Sequence, residues 1–247
     1  MLCRCPFCLG TRADEMKRVV LIVVLVLVVA FGVGVFSLLK GISSKVFTHR
    51  YKLTVTVEAN GVKRSGASVI EVNWIEQPQK WVPIPVPHFV AHVVGDAPVV
   101  ELENGGAIVA TLMRADPSYR PIPLEHLVAM AFGLADSDAS VPDLQRQTGV
   151  RILRGNEIPP LVHFSDRTDP KTATLVPQPI VSGGSLAPAV TFVDARIEMT
   201  SAPVTRTLEQ SLPWWSHPDR PASVARRAWL QGNMIGEAVG PESLFRR

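Results

Sequence analysis

The chain has 247 residues, enough for one or two domains. Its mean hydropathy of +0.20 is high for a water-soluble protein, and most of the excess lies in one segment near the start. Beyond residue 39 the chain carries 21 basic and 20 acidic residues, a balance of +1, too even for a nucleic-acid footprint, which wants a clustered basic excess.

Residues 1–18 form a short N-terminal tail holding all three cysteines, Cys3, Cys5 and Cys8. A structural zinc site needs four ligands, and the nearest histidine, His49, lies beyond the apolar run. The expectation is therefore a metal-free tail with reduced thiols, with Met16-Lys17-Arg18 as an alternative start.

Residues 19–39, VVLIVVLVLVVAFGVGVFSLL, are uncharged. As a helix they would span about 31 Å, against a bilayer core of roughly 30 Å. A core helix keeps a polar face and this run has none. It is longer than a secretory h-region and is followed by no small-residue cleavage site. It reads as an uncleaved, single-pass signal anchor and transmembrane helix, and the spacing Ala30-x-x-x-Gly34 permits close approach of a second helix.

Arg4, Arg12, Lys17 and Arg18 before the anchor balance Lys40, Lys45, Arg50 and Lys52 after it, so the positive-inside count is tied. Lys17 and Arg18 abut the anchor, and long downstream domains translocate largely regardless of charge. The absence of cysteine after Cys8 is compatible with an oxidising compartment. These points place the N-terminus in the cytoplasm and the rest outside.

A linker, 40–48, leads to an α+β exodomain over 49–215: a strand-rich antiparallel fold with a few short helices. Tyr51, Leu53, Val55 and Val57 alternate with Lys52, Thr54, Thr56 and Glu58, the period of a strand with one wet face. Asn60-Gly61 supplies a tight hairpin turn. The return strand places Ile70, Val72 and Trp74 on one buried face, which makes the hairpin a stability element. Gly66 is expected at a bulge or a close backbone approach.

Pro83, Pro85 and Pro87 then force an extended, unpaired run. PVVELENGGAIVATLM predicts a second hairpin. PLEHLVAMAFGLADSD has helical spacing, and SVPDLQRQTG predicts a short helix capped by Ser140 and stopped at Gly149. PPLVHFSDRTDPKTATLV reads as strand, polar turn, strand. VTFVDARIEMT places Val193, Ala195, Ile197 and Met199 on one strand face. VTRTLEQSLP predicts a short helix with Leu208 and Leu212 on one side, and the tail 216–247 holds a last helical stretch ending at Gly232.

No candidate for chemistry finds its context. Gly183-Gly184-Ser185-Leu186-Ala187 approaches a nucleophile elbow, but Pro188 spoils the helix that must follow. His88 and His92 share a face on a strand and supply at most two metal ligands, with no carboxylate or cysteine at a completing spacing. Asp166 and Asp169 are explained by turn capping. The glycines after Asn104 lack the lysine and helix of a phosphate loop. No catalytic, cofactor-binding or metal residue is assigned. Trp214 and Trp215, with Trp229, Arg226 and Arg227, form either a partner-docking patch, since Trp and Arg are enriched at interfaces, or a C-terminal clasp on the core.

Residues 50–72 (RYKLTVTVEANGVKRSGASVIEV), 159–172 (PPLVHFSDRTDPKT) and 196–215 (RIEMTSAPVTRTLEQSLPWW) together resemble a group of uncharacterised, single-pass membrane-anchored proteobacterial proteins. That group brings no activity and no site residues. Its middle block usually reads Phe-Asp-Asp where this chain has Phe164-Ser165-Asp166. The resemblance implies a bacterial envelope setting; with the anchor and its flanks, the expected location is the inner membrane with the domain extracytoplasmic. The expected role is a non-catalytic interaction or structural module of the cell envelope. Two alternatives stay open: an envelope hydrolase or metal-assisted enzyme using His88, His92 or His163, and a small-molecule binder roofed by the proline-rich loop.

Overall fold

The structure, a computed structural model, describes residues 45–77, 88–115, 121–135 and 137–216, together with Leu21, Val24 and Leu25. The chain divides into two units, Met1–Lys45 and Val46–Arg247. In the first, Leu21, Val24 and Leu25 are helical with exposed side chains. The cysteine tail and the rest of the expected anchor lie outside the described residues. No helix among the described residues is long and apolar enough to cross a membrane.

The second unit is built from antiparallel sheets. The expected hairpin is its spine: β1 (Val46–Ala59) and β2 (Val62–Glu76) pair along their whole length. Asn60 and Gly61 turn it with φ of 53° and 79°, the two left-handed positions that a two-residue hairpin demands. β3 (Phe89–Val94) adds to β2, and β12 (Val190–Met199) to β1. On the far side of β12, β11 (Ser185–Ala187) pairs near its start and β8 (Val150–Ile152) near its end.

A second sheet runs β10 (Ala173–Leu175), β9 (Leu161–Phe164), β5 (Ala107–Ala110), β4 (Val99–Glu101). A ribbon pairs β6 (Met113–Ala115) with β7 (Pro121–Pro123). The strand-rich antiparallel expectation is met, and β1 begins three residues earlier than the boundary drawn at residue 49.

The inner faces of the two sheets share one core. Leu53, Val55, Ile70 and Val72 are fully buried and Trp74 nearly so, as are Ile108 and Phe164 of the second sheet. β4 lies against β2. At Gly66 a Cβ would overlap the carbonyl of Val99, so the expected close approach is real. The remainder of the inner face is covered by short helical pieces. A 3-10 turn (Leu124–His126) runs into α1 (Leu127–Ala131), and another (Asp138–Ser140) into α2 (Val141–Leu144). Leu124, Leu127, Val128, Val141 and Leu144 are all fully buried.

Three local expectations need correction. Val193 does not share a face with Ala195 and Ile197. The β1–β12 register shifts between Thr56 and Val57, pairing Thr56 with Asp194 and Val57 with Phe192. Val193 is the extra residue of a β-bulge, and a bulge changes which parity points inward, so Val190 and Phe192 are buried instead. Ser140 does not cap α2. Its Oγ donates to the carbonyls of Ala135 and Ser137 at 2.8 Å each, closing the preceding turn. The helix itself ends at Leu144, short of Gly149.

After β12 the chain reaches the open edge of β2 beyond the end of β3. There the Thr205 N–H donates to the Val69 carbonyl (3.1 Å), and its Oγ1 accepts from the Val69 N–H (2.9 Å). The predicted short helix, α3 (Leu208–Ser211), follows, with Leu208 and Leu212 both buried.

Candidate functional site

The three histidines singled out from sequence are not brought together. His88, just before β3, presents Nε2 3.4 Å from Glu76 Oε1, with both side chains partly open to solvent. Its backbone N–H donates to Asp138 Oδ2 at 3.1 Å. His92 is exposed on β3 opposite Asn73. His163 lies on the other sheet, between Ile108 and Thr174, half-buried, with its pKa lowered by that burial. Among the described residues no group of three metal-ligating side chains converges.

The turn after β9 is built as expected. Asp166 Oδ1 accepts from the N–H (2.8 Å) and hydroxyl (2.7 Å) of Thr168. Asp169 Oδ1 accepts from the Lys171 N–H at 2.9 Å.

Trp214 and Trp215 close the core, only 9% and 1% exposed. The Trp214 Nε1–H donates to the Arg167 carbonyl at 3.0 Å, its ring lies 5.9 Å from Phe164, and Trp215 packs edge-on at 5.6 Å. The clasp alternative is the one this geometry agrees with for these two residues. Trp229, Arg226, Arg227 and the proline run lie outside the described residues.

What the fold does assemble is a cleft of about 430 Å³, lined by Thr48, His49 and Arg50, by Gln145, Gln147 and Thr148, and by Met199, Thr200 and Ser201. Three segments meet here: the first part of β1, the loop between α2 and β8, and the end of β12 with the residues after it. Arg50 is the one charged residue among them. Its Nε pairs with Glu71 Oε2 at 2.6 Å, and its Nη1 reaches the Ser201 carbonyl at 3.5 Å. Glu71 also accepts from Asn73 Nδ2 at 2.8 Å, and Asn73 Oδ1 accepts from the Thr48 hydroxyl at 2.6 Å. Hydrogen bonds from Asn73 and Arg50 hold the Glu71 carboxyl below the usual range. The charge at the cleft is thus compensated, and its surface is neutral and rich in hydroxyls and amides.

His49 is the unusual member. It is 4% exposed, and neither ring nitrogen has a hydrogen-bond partner. It stacks on Tyr51 with centroids 6.3 Å apart. The Tyr51 hydroxyl is likewise buried and unpartnered, and burial followed by the nearby Glu125 charge pushes its pKa up. Burial lowers the His49 pKa to about 4, so the ring is neutral at pH 7. In the sequence His49 stands at the expected domain boundary, with no motif around it to assign it a role. Carrying the alternation Tyr51, Leu53, Val55, Val57 back by one period of two would have put it on the inner face.

That burial has a pH consequence. Above about pH 7 both folded and unfolded chains carry a neutral His49. As pH falls through 6.5 the unfolded chain takes up a proton that the folded chain refuses until about pH 4. Stability contributed by this group is therefore lost between those limits, by up to about 3 kcal/mol. The native protein should lose that much more than His49→Leu when urea unfolding at pH 7.5 and pH 4.5 is compared. Equal losses in the two proteins would disprove the assignment.

Compared with known proteins, the chain matches no family model, no curated protein and no solved structure.

Proposed function

We propose that this chain is a membrane-anchored, non-catalytic interaction module of the bacterial cell envelope, held by residues 19–39 with its strand-rich domain outside the cytoplasm. The observation that carries the non-catalytic reading is the make-up of the cleft. Its walls offer neutral donors and acceptors, and its single cation is already paired with Glu71. A catalytic constellation sets a nucleophile, a base and a charge stabiliser within hydrogen-bond reach of one another, whereas His88, His92 and His163 are spread over two sheets. The uncharged run of 21 residues supports the anchor. The likeness of residues 50–72, 159–172 and 196–215 to anchored proteobacterial proteins supports the envelope setting.

A pair of fusions at Arg247 tests the topology. A reporter active only outside the cytoplasm is expected to work, and one active only inside is expected to fail. The reverse pattern would remove the extracytoplasmic assignment.

A further inference from the structure

We propose that the end of the first sheet where β1 begins is a lipid-docking surface, with Val46, Ile75 and Val90 seated at the face of the bilayer. The proposal rests on the reading of residues 19–39 as a membrane anchor.

The first support is a rung of three apolar side chains open to solvent. Val46 pairs with Ile75, and Ile75 with Val90, so the three stand side by side on the outer face of β1, β2 and β3, where neighbouring side chains interact. Val46 is 55% exposed, and Ile75 and Val90 are partly exposed. The next rung on that face is polar: Thr48, Asn73 and His92. The one after it holds the Arg50–Glu71 ion pair. An exposed apolar patch rimmed by polar residues marks a contact surface, and this one lies at the extreme end of the sheet. Val150 and Ile152 are also exposed, but on β8, where they pair with Glu198 and Arg196, so they extend no apolar rung.

The second support selects lipid as the occupant. Val46 follows the uncharged run by only seven residues, at most about 25 Å of extended chain. The antiparallel register brings the end of β2 and the start of β3 to that same end. The Asn60-Gly61 turn lies the length of β1 away, about 45 Å. Residues 78–87, PQKWVPIPVP, join β2 to β3 there, and they hold a tryptophan, three aliphatic residues, a lysine and no acid. Trp and Lys are the residues that settle at a membrane–water boundary. Charge agrees. Lys45 is exposed beside Val46, while the carboxylates of Glu76 and Asp138 are turned to the His88 ring and backbone N–H.

The test uses the full chain, with Cys3, Cys5 and Cys8 changed to serine, in nanodiscs of phosphatidylethanolamine and phosphatidylglycerol. Nitroxide labels are attached to single variants Val46→Cys, Ile75→Cys and Val90→Cys, with Ala30→Cys in the anchor and Lys63→Cys beyond the hairpin turn as references. Labels at 46, 75 and 90 should be relaxed by oxygen, which enters lipid, and severalfold less than the label at 63 by a water-soluble nickel chelate. Adding Val46→Asp, a change at an exposed strand end that should leave the thermal midpoint unchanged, should restore nickel access at 75 and 90. Nickel access at 46, 75 and 90 equal to that at 63 overturns the proposal. Shielding from both reagents overturns it too, since protein then covers the rung, a second copy if the spectra also broaden by dipolar coupling. The label at 30 separates the two readings. Lipid at 30 with water at the rung keeps the anchor and removes the docking surface, lipid at the rung with water at 30 does the reverse, and water at both removes both.

Discussion

Replacing Gly66 by alanine is expected to destabilise the domain by about 4 kcal/mol or more, at the upper end of single-residue effects. In a strand, alanine would ordinarily be the better residue, because glycine loses more conformational freedom on folding. Here space decides. Gly66 pairs with Val55 in the hairpin and faces inward, and its missing Cβ is where β4 crosses β2. An added methyl would meet the carbonyl oxygen and carbon of Val99 and the nitrogen of Val100. All three are backbone atoms, so no rotamer change relieves the overlap and the sheets themselves must part. Gly61→Ala gives the contrast. Its φ of +79° lies in the left-handed region but its surroundings are open, so the cost there should be about 1–2 kcal/mol. Denaturant midpoints of the two variants measure the difference. A smaller loss for Gly66→Ala than for Gly61→Ala would refute the close-approach explanation.

Gly66 was legible from sequence because a glycine inside a strong alternation has few other uses. The hairpin around it was legible for the same reason: eight alternating residues and an Asn-Gly pair leave little freedom of register. The turn at Asp166 and Asp169 was legible because its hydrogen bonds span two residues. The bulge at Val193 was not, since a bulge is set by the partner strand and leaves no local mark in VTFVDARIEMT. The cleft was not legible either. Its walls come from residues 48–50, 145–148 and 199–201, and no short pattern links segments about a hundred and fifty residues apart. Neighbours in sequence favour His88 and His92 over His49. Burial singles out the other one, and burial is a property of the assembled sheets.

Asp96 is where those assembled sheets are fastened to the C-terminal segment, and Asp96→Ala should cost about 3–5 kcal/mol, the scale of breaking a buried charged contact from one side. The residue is 1% exposed. Its Oδ2 accepts from the Leu208 N–H at 2.9 Å, and Leu208 opens α3, whose preceding residue Thr207 makes no side-chain cap. A carboxylate distant in sequence thus does the work of an N-cap, and it suits the positive end of the helix as well. Oδ1 lies 3.7 Å from Arg206 Nη1, a half-exposed partner that water can replace at little cost. The Asp96 backbone is committed too: its N–H donates to the Thr205 carbonyl (3.2 Å) and its carbonyl accepts from Ser68 Oγ (2.6 Å). Alanine keeps those backbone bonds but strands the Leu208 N–H in the interior. Asparagine retains an acceptor oxygen and should cost only about 1–2 kcal/mol. Because α3 leads directly to Trp214 and Trp215, the first visible effect should be local. Tryptophan emission should shift to the red and the segment after Thr205 should become sensitive to protease before the sheets unfold. A loss below about 1 kcal/mol in Asp96→Ala, or emission that changes only with global unfolding, would show that the clasp is held by packing alone.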